Sequence, residues 1–241
     1  MNSVNAGKIA KLQAEVDSLL GLLIRAYGKF LFFRPMMLNE KLNERMSLQE
    51  KGIGFRQLRE WLYWGFIQEI VKLCLDPDDR TPSIRKLKKA LEDESTLQAL
   101  KQKYSRRAPP KIEGLDEQSI RQLQKEEESE LRSEFDETYR RFQNRSAELL
   151  SSDALAGYKT IRDKLISHNE LCKSGEGYTF FDIKVLNLKY GQERQVLEAA
   201  KDVFEDLDAL VRNACFSWTE FIEQETRDVC KFWDIEAIEE K

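Results

Sequence analysis

The sequence predicts an all-α protein, an up-and-down helical bundle that carries a long charged helical insertion. Apolar residues recur at intervals of three and four over long stretches, the period of an amphipathic helix. Proline and glycine are scarce, with 5 and 11 in 241 residues, too few for a loop-rich or all-β chain. Hydrophobic residues make up 41% and charged residues 34%, which suits helices with one buried and one solvated face.

Taken in order, Ile9, Leu12, Val16, Leu19, Leu20, Leu23, Tyr27, Phe30 and Leu31 predict a long first helix. Arg34-Pro35 is expected to end or bend it, because the residue before proline avoids helical angles. A second helix is predicted from about Leu38 to Glu50, with a break at Gly52-Ile53-Gly54. Phe55 to Leu75 is hydrophobic almost all round and is expected to be a central core helix. After the turn at Asp76-Pro77-Asp78-Asp79, Thr81 and Pro82 fit the N-cap and first position of another helix. Its outer face is basic, with Arg85, Lys86, Lys88 and Lys89.

The chain is expected to form a single helical domain over residues 1–241. Residues 105–115, around Pro109-Pro110, are expected to be a linker within it. Residues 116–150 come next as a long, exposed, charged helical insertion. Its Glu126, Glu127, Glu128 and Glu130 alternate with Lys and Arg at helical spacing, the pattern of a solvated face rather than a metal cluster. A helix is predicted from about Asp153 to Ser167, then a loop from Lys173 to Gly177. The last helix is read as one continuous stripe from Val196 through Ala214 and Trp218 to Ile222, packing along the bundle or against a second chain.

Several function classes are excluded. A net charge of -4 argues against a general nucleic-acid coat, though not against a local basic cleft. Cys74, Cys172, Cys215 and Cys230 are too far apart in sequence for a zinc knuckle. Cys74 and Cys215 lie in apolar patterns that predict buried free thiols. Asn144-Arg145-Ser146 matches a glycosylation sequon by chance. The first residues lack the blocks of a signal peptide, and Arg25 and Lys29 interrupt the apolar run that begins at Leu19. A cytoplasmic protein without membrane attachment is expected. No Gly-rich phosphate loop precedes a helix, and one histidine supports neither a histidine metal site nor a Ser–His–Asp triad.

The candidate for chemistry is Arg162-Asp163-Lys164-Leu165-Ile166-Ser167-His168, which contains the sole histidine and continues as Asn169-Glu170. This stretch resembles the Arg-polar-x-x-x-x-His signature of the HEPN (higher eukaryote and prokaryote nucleotide-binding) superfamily. The Leu73–Leu87 block, with its Asp-Pro turn and Thr-Pro-Ser-Ile-Arg-Lys-Leu, is similar to the abortive-infection U-type branch of that superfamily. The resemblance runs from about Leu19 to Phe221. It implies a helical bundle that is a homodimer, with the motifs of two chains meeting in a cleft that cuts RNA without metal or other cofactor. It also implies a role in phage defence or a toxin–antitoxin system, with an antitoxin protein as a partner. Arg162 and His168 take the catalytic positions, and Asp163 takes the polar position beside the arginine.

The chemistry is coherent in its own right. Cleavage through the ribose 2′-hydroxyl needs a group that moves protons near neutral pH, and imidazole has an ordinary pKa of about 6.5. It also needs a cation that grips phosphate oxygens, for which the planar guanidinium is suited. On a straight α-helix six residues give about 9 Å of rise and roughly 240° of rotation, so Arg162 and His168 would not share a face. Either the helix ends near Ser167, or the site pairs groups from two subunits; a two-fold cleft would also supply separate acid and base. Ser167 and Asn169 are candidates for substrate contact or for helix capping. Arg85, Lys86, Lys89, Arg106 and Arg107 are candidates to guide RNA. Without the resemblance, His168 reads as a C-terminal cap and Arg162 as an ion-pair partner of Glu148 or another acid. The rival to the nuclease is a non-catalytic helical module that binds a protein or nucleotide.

Overall fold

The computed structural model describes residues 3–47, 52–78, 80–106, 116–167, 171–174, 177–189 and 191–238. Helix α1 (Ser3–Leu38) buries the predicted stripe, including Val16, Leu19, Leu23 and Tyr27. Pro35 does not end it. Phe33 and Met36 are buried around the proline, and that packing carries the helix to Leu38 despite the bond the ring cannot make. Asn39 then caps α2 (Glu40–Ser47), its side chain accepting from the Leu42 amide at 2.8 Å.

Helix α3 (Gly52–Leu75) starts at the glycine pair that was expected to break the chain. It lies antiparallel to α1, with Lys29 against Glu69 at 2.7 Å and the Phe33 and Tyr63 rings 5.8 Å apart. It is not buried all round. From Phe66 onward it is core, whereas none of the ten residues 56–65 is buried, and Trp61 is 71% exposed.

Helix α4 (Ile84–Leu91) begins two residues later than expected, with Ser83 rather than Thr81 at its N-cap. The burial of Ile84, Leu87 and Leu91 sets that start, and the Thr81 carbonyl accepts instead from Lys86 at 2.7 Å. Helix α5 (Glu94–Ser105) is next, and Tyr104 donates to the Val211 carbonyl at 2.6 Å. Of the expected linker at 105–115, Ser105 is instead the buried last residue of α5, and 107–115 lie outside the described residues.

Helix α6 (Glu117–Ser151) confirms the long charged helix, capped by Asp116, but its second half is packed rather than exposed. Phe135, Phe142, Ser146 and Leu149 are buried, so the sequon serine is inside the protein. Arg141 and Arg145 both reach the buried Asp206, at 2.6 and 3.0 Å, on α8 (Gln192–Arg212). Helix α8 runs antiparallel to α1, as Gln13 bonds to the Val211 carbonyl and Tyr27 to Glu198.

The last stripe is two helices, not one. Asn213 takes a left-handed conformation (φ 53°), which asparagine tolerates, and stops α8. The chain turns through Phe216, and α9 (Trp218–Trp233) folds back along α1, with Trp218 5.4 Å from Tyr27 and the Trp233 indole donating to the Phe32 carbonyl. Cys215 lies in this connection and is exposed, against expectation, while Cys74 is buried as expected. Among the described residues no helix is long and apolar enough to cross a membrane.

Candidate active site

Helix α7 (Asp153–Ile161) leaves α6 at Ser152, whose hydroxyl accepts from the Leu155 amide. Leu155, Tyr158 and Ile161 form its buried face, and the Tyr158 ring lies 6.4 Å from Phe66 of α3. Gly157 permits a close approach on another side: a Cβ there would come within 2.8 Å of Leu188, in the segment before α8.

The expected helix to Ser167 changes register at the candidate motif. Arg162–Ile166 is a π-helical turn, in which the Ser167 amide donates to the Arg162 carbonyl at 2.9 Å, five residues back. A π-turn holds one extra residue and is frequent at functional sites. It also brings Ser167 into line with Arg162, a relation that α-helical arithmetic does not give. The chain then forms a short antiparallel hairpin, β1 (Leu171–Ser174) with β2 (Gly177–Phe180), where a plain loop was expected. The Lys164 ammonium sits 5.3 Å from the Phe181 ring, tying the far side of the hairpin to the π-turn.

Arg162 is 18% exposed and is paired with its neighbour, not with Glu148. Its Nε and Nη2 donate to one Asp163 oxygen at 2.8 and 2.5 Å, and Lys159 donates to the other at 2.9 Å. Partial burial pushes the Asp163 carboxyl up, but the hydrogen bonds and charges of Lys159 and Arg162 prevail and hold it below the usual carboxylate range. The structure therefore brings Arg162 and Asp163 together on a turn with no buried residue. Ser167 is exposed beside them. His168, Asn169 and Arg107 lie outside the described residues.

One turn before Arg162 is a group that the sequence pattern does not reveal. Burial and the charge of Glu193 push the Tyr158 and Tyr63 hydroxyls well above the ordinary phenol range, and Tyr63 bonds to Glu193. Among the described residues the buried Tyr158 hydroxyl has no partner. Nothing in the spacing of three residues on three helices advertises this cluster.

The basic candidates sit elsewhere. Arg85, Lys89 and Arg106 are exposed and Lys86 is half-buried, with α4 packed on α3, α5 and α6. Helix α4 comes after Leu75, about 14 Å further along α3 than Phe66 at 1.5 Å per residue. A groove of about 460 Å³ lies at the start of α7, lined in part by Glu148, Asp153 and Asp202. Those carboxylates oppose a phosphodiester.

The AbiU2 family profile of the HEPN superfamily matches residues 9–232. The chain belongs to this family. The AbiU2 match reaches from within α1 to within α9 and takes in the described helices between them, with the π-turn and hairpin. No curated protein and no solved structure matches this HEPN chain.

Proposed function

We propose that this HEPN chain is a metal-independent endoribonuclease of a phage-defence or toxin–antitoxin type. The observation that carries the reading is the π-turn, which holds the Arg162 guanidinium against Asp163 in a chain of the AbiU2 family. In the reaction the 2′-hydroxyl oxygen attacks phosphorus and loses its proton to a base. The bond to the 5′-oxygen breaks, and that oxygen takes a proton from an acid, leaving a 2′,3′-cyclic phosphate and a 5′-hydroxyl. His168 moves the protons, and Arg162 donates hydrogen bonds to the non-bridging phosphate oxygens. Asp163 is a positioning residue that orients the guanidinium. A homodimer supplies a second imidazole, so that base and acid come from different chains. An antitoxin protein would keep such an activity silent, in the cytoplasm where its RNA targets are.

The test is RNA cleavage in EDTA by the purified protein and by His168→Ala. Cleavage by the wild type that disappears in the variant supports the proposal. Cleavage that survives the substitution overturns the role of His168, and cleavage abolished by EDTA overturns the metal-independent mechanism.

A second reading, a non-catalytic module that binds a protein, has one observation in its favour. Ile53 and Trp61 are 64% and 71% exposed and lie eight residues apart on one face of α3. Absence of cleavage by both proteins, with a partner released or not, would favour it.

A further inference from the structure

We infer that Arg56 and Arg59, on the first half of α3, form a phosphate-binding step beside the π-turn and take the backbone of single-stranded RNA flanking the bond held at Arg162. The inference rests on the ribonuclease reading of that turn and extends it to substrate binding. A single strand is the required form, because the 2′-hydroxyl must swing in line with the bond that breaks, which a stacked duplex resists.

Chain directions put these arginines at the site. Helices α3 and α8 both run antiparallel to α1, so they run the same way. Asp153 at the start of α7 lines a groove with Val196 and Asp202 of α8, and Gly157 meets Leu188, just before α8, so α7 runs toward the N-terminal ends of α8 and α3. Tyr158 packs at Phe66 and shares the Glu193 charge with Tyr63. One turn beyond Tyr158 stands Arg162. One turn before Tyr63 stands Arg59, and one turn before that stands Arg56. The three arginines therefore lie beyond the same tyrosine pair in the same direction, and the π-turn packs against α3.

Arg56 is exposed and Arg59 half-buried, and among the described residues neither makes an ion pair or hydrogen bond. Some arginines of the bundle are neutralised, Arg25 by Glu69, Arg141 and Arg145 by Asp206, and Arg212 by Asp17 and Asp208, whereas Arg85, Arg132 and Arg140 share with Arg56 and Arg59 the lack of a partner among the described residues. Between residues 52 and 68 of α3 the sole carboxylate is Glu60. A helix edge that carries two guanidiniums without a partner among the described residues, on the helix against which the π-turn packs, suits a polyanion, at successive phosphates of a strand.

The test is a salt titration of binding, by fluorescence anisotropy, with a short single-stranded 2′-O-methyl oligonucleotide that cannot be cleaved. The Arg56→Gln/Arg59→Gln protein is expected to bind roughly tenfold more weakly, with the slope of log affinity against log salt reduced by about 1.4. Helical circular dichroism checks its fold, and if the pair does not fold, Arg56→Gln alone should reduce the slope by about 0.7. Unchanged affinity and slope overturn this inference while leaving the ribonuclease reading intact. Failure of the wild type to bind RNA overturns both. A double variant that loses self-association by light scattering assigns the edge to a second copy of the chain, which also overturns it.

Discussion

The Ser167 amide donates to the Arg162 carbonyl at 2.9 Å, five residues back, and this one bond sets the register of the whole candidate motif. It rotates the chain beyond Arg162 by an amount that a regular α-helix would not. Removing one residue from the π-turn, as in a Lys164 deletion, should restore α-helical register. The protein is expected to keep its far-ultraviolet circular dichroism while cleavage falls by about 10²-fold, the loss typical of a misplaced catalytic group. Full cleavage by the deletion variant would remove the π-turn from the mechanism.

Arg162→Lys keeps the charge but loses the planar fork, and is expected to lower kcat by about 10²-fold in a single-turnover assay. Asp163→Asn should cost less, on the order of tenfold, because it loosens the guanidinium without removing it. Equal losses in both variants would contradict the assignment of Asp163 to positioning.

The same carboxylate has a pH signature. Its folded pKa is depressed, so its stabilisation is fully present above the unfolded value of about 3.9 and is lost as pH falls through the lower folded value. Asp163 is 35% exposed, so the effect is under about 1 kcal/mol. Urea unfolding should show Asp163→Asn less stable than wild type at pH 7, with the gap closing below about pH 4. A gap that widens in acid would reverse the sign.

Asp206 joins α6 to α8 while 2% exposed, and its two arginines are 49% and 40% exposed. Asp206→Ala loses two charge-assisted bonds and should destabilise by about 2 kcal/mol. Arg141→Ala leaves Arg145 in place and should cost about 1 kcal/mol. Thermal unfolding of the two variants checks the order.

Thiol labelling should track burial. In a Cys172→Ser background, Cys215 reacts first because it is exposed, and Cys230 more slowly because partial burial raises its pKa. Cys74 is fully buried, which pushes its thiol up to about 12, and it should react only on unfolding. Labelling of native Cys74 on the timescale of Cys215 would mean that the α3 core opens.

Elements with a sustained helical period were legible in the sequence. The stripe from Ile9 to Leu31 became α1, the apolar block from Phe55 to Leu75 became most of α3, and the charged run became α6. The family was legible too, through the resemblance of the Arg162–His168 stretch and the Leu73–Leu87 block. The boundaries misread were those where a local rule and distant packing disagree. Pro35 should stop a helix, but buried Phe33 and Met36 hold it. Asn213 sits inside an unbroken apolar pattern, yet Trp218 finds Tyr27 only if the chain reverses there.

Sequence by itself determined that this chain is a helical bundle, because burial period is a local property written in side-chain order. It also marked the family, which the match over residues 9–232 bears out. Tertiary structure alone decided that the motif lies on a π-turn and that α8 stops at Asn213. It also decided that α7 runs toward the exposed half of α3. Choosing between bonds four or five residues back changes the local energy little, so contacts from distant elements, such as Phe181 on Lys164 and Phe66 on Tyr158, tip the balance.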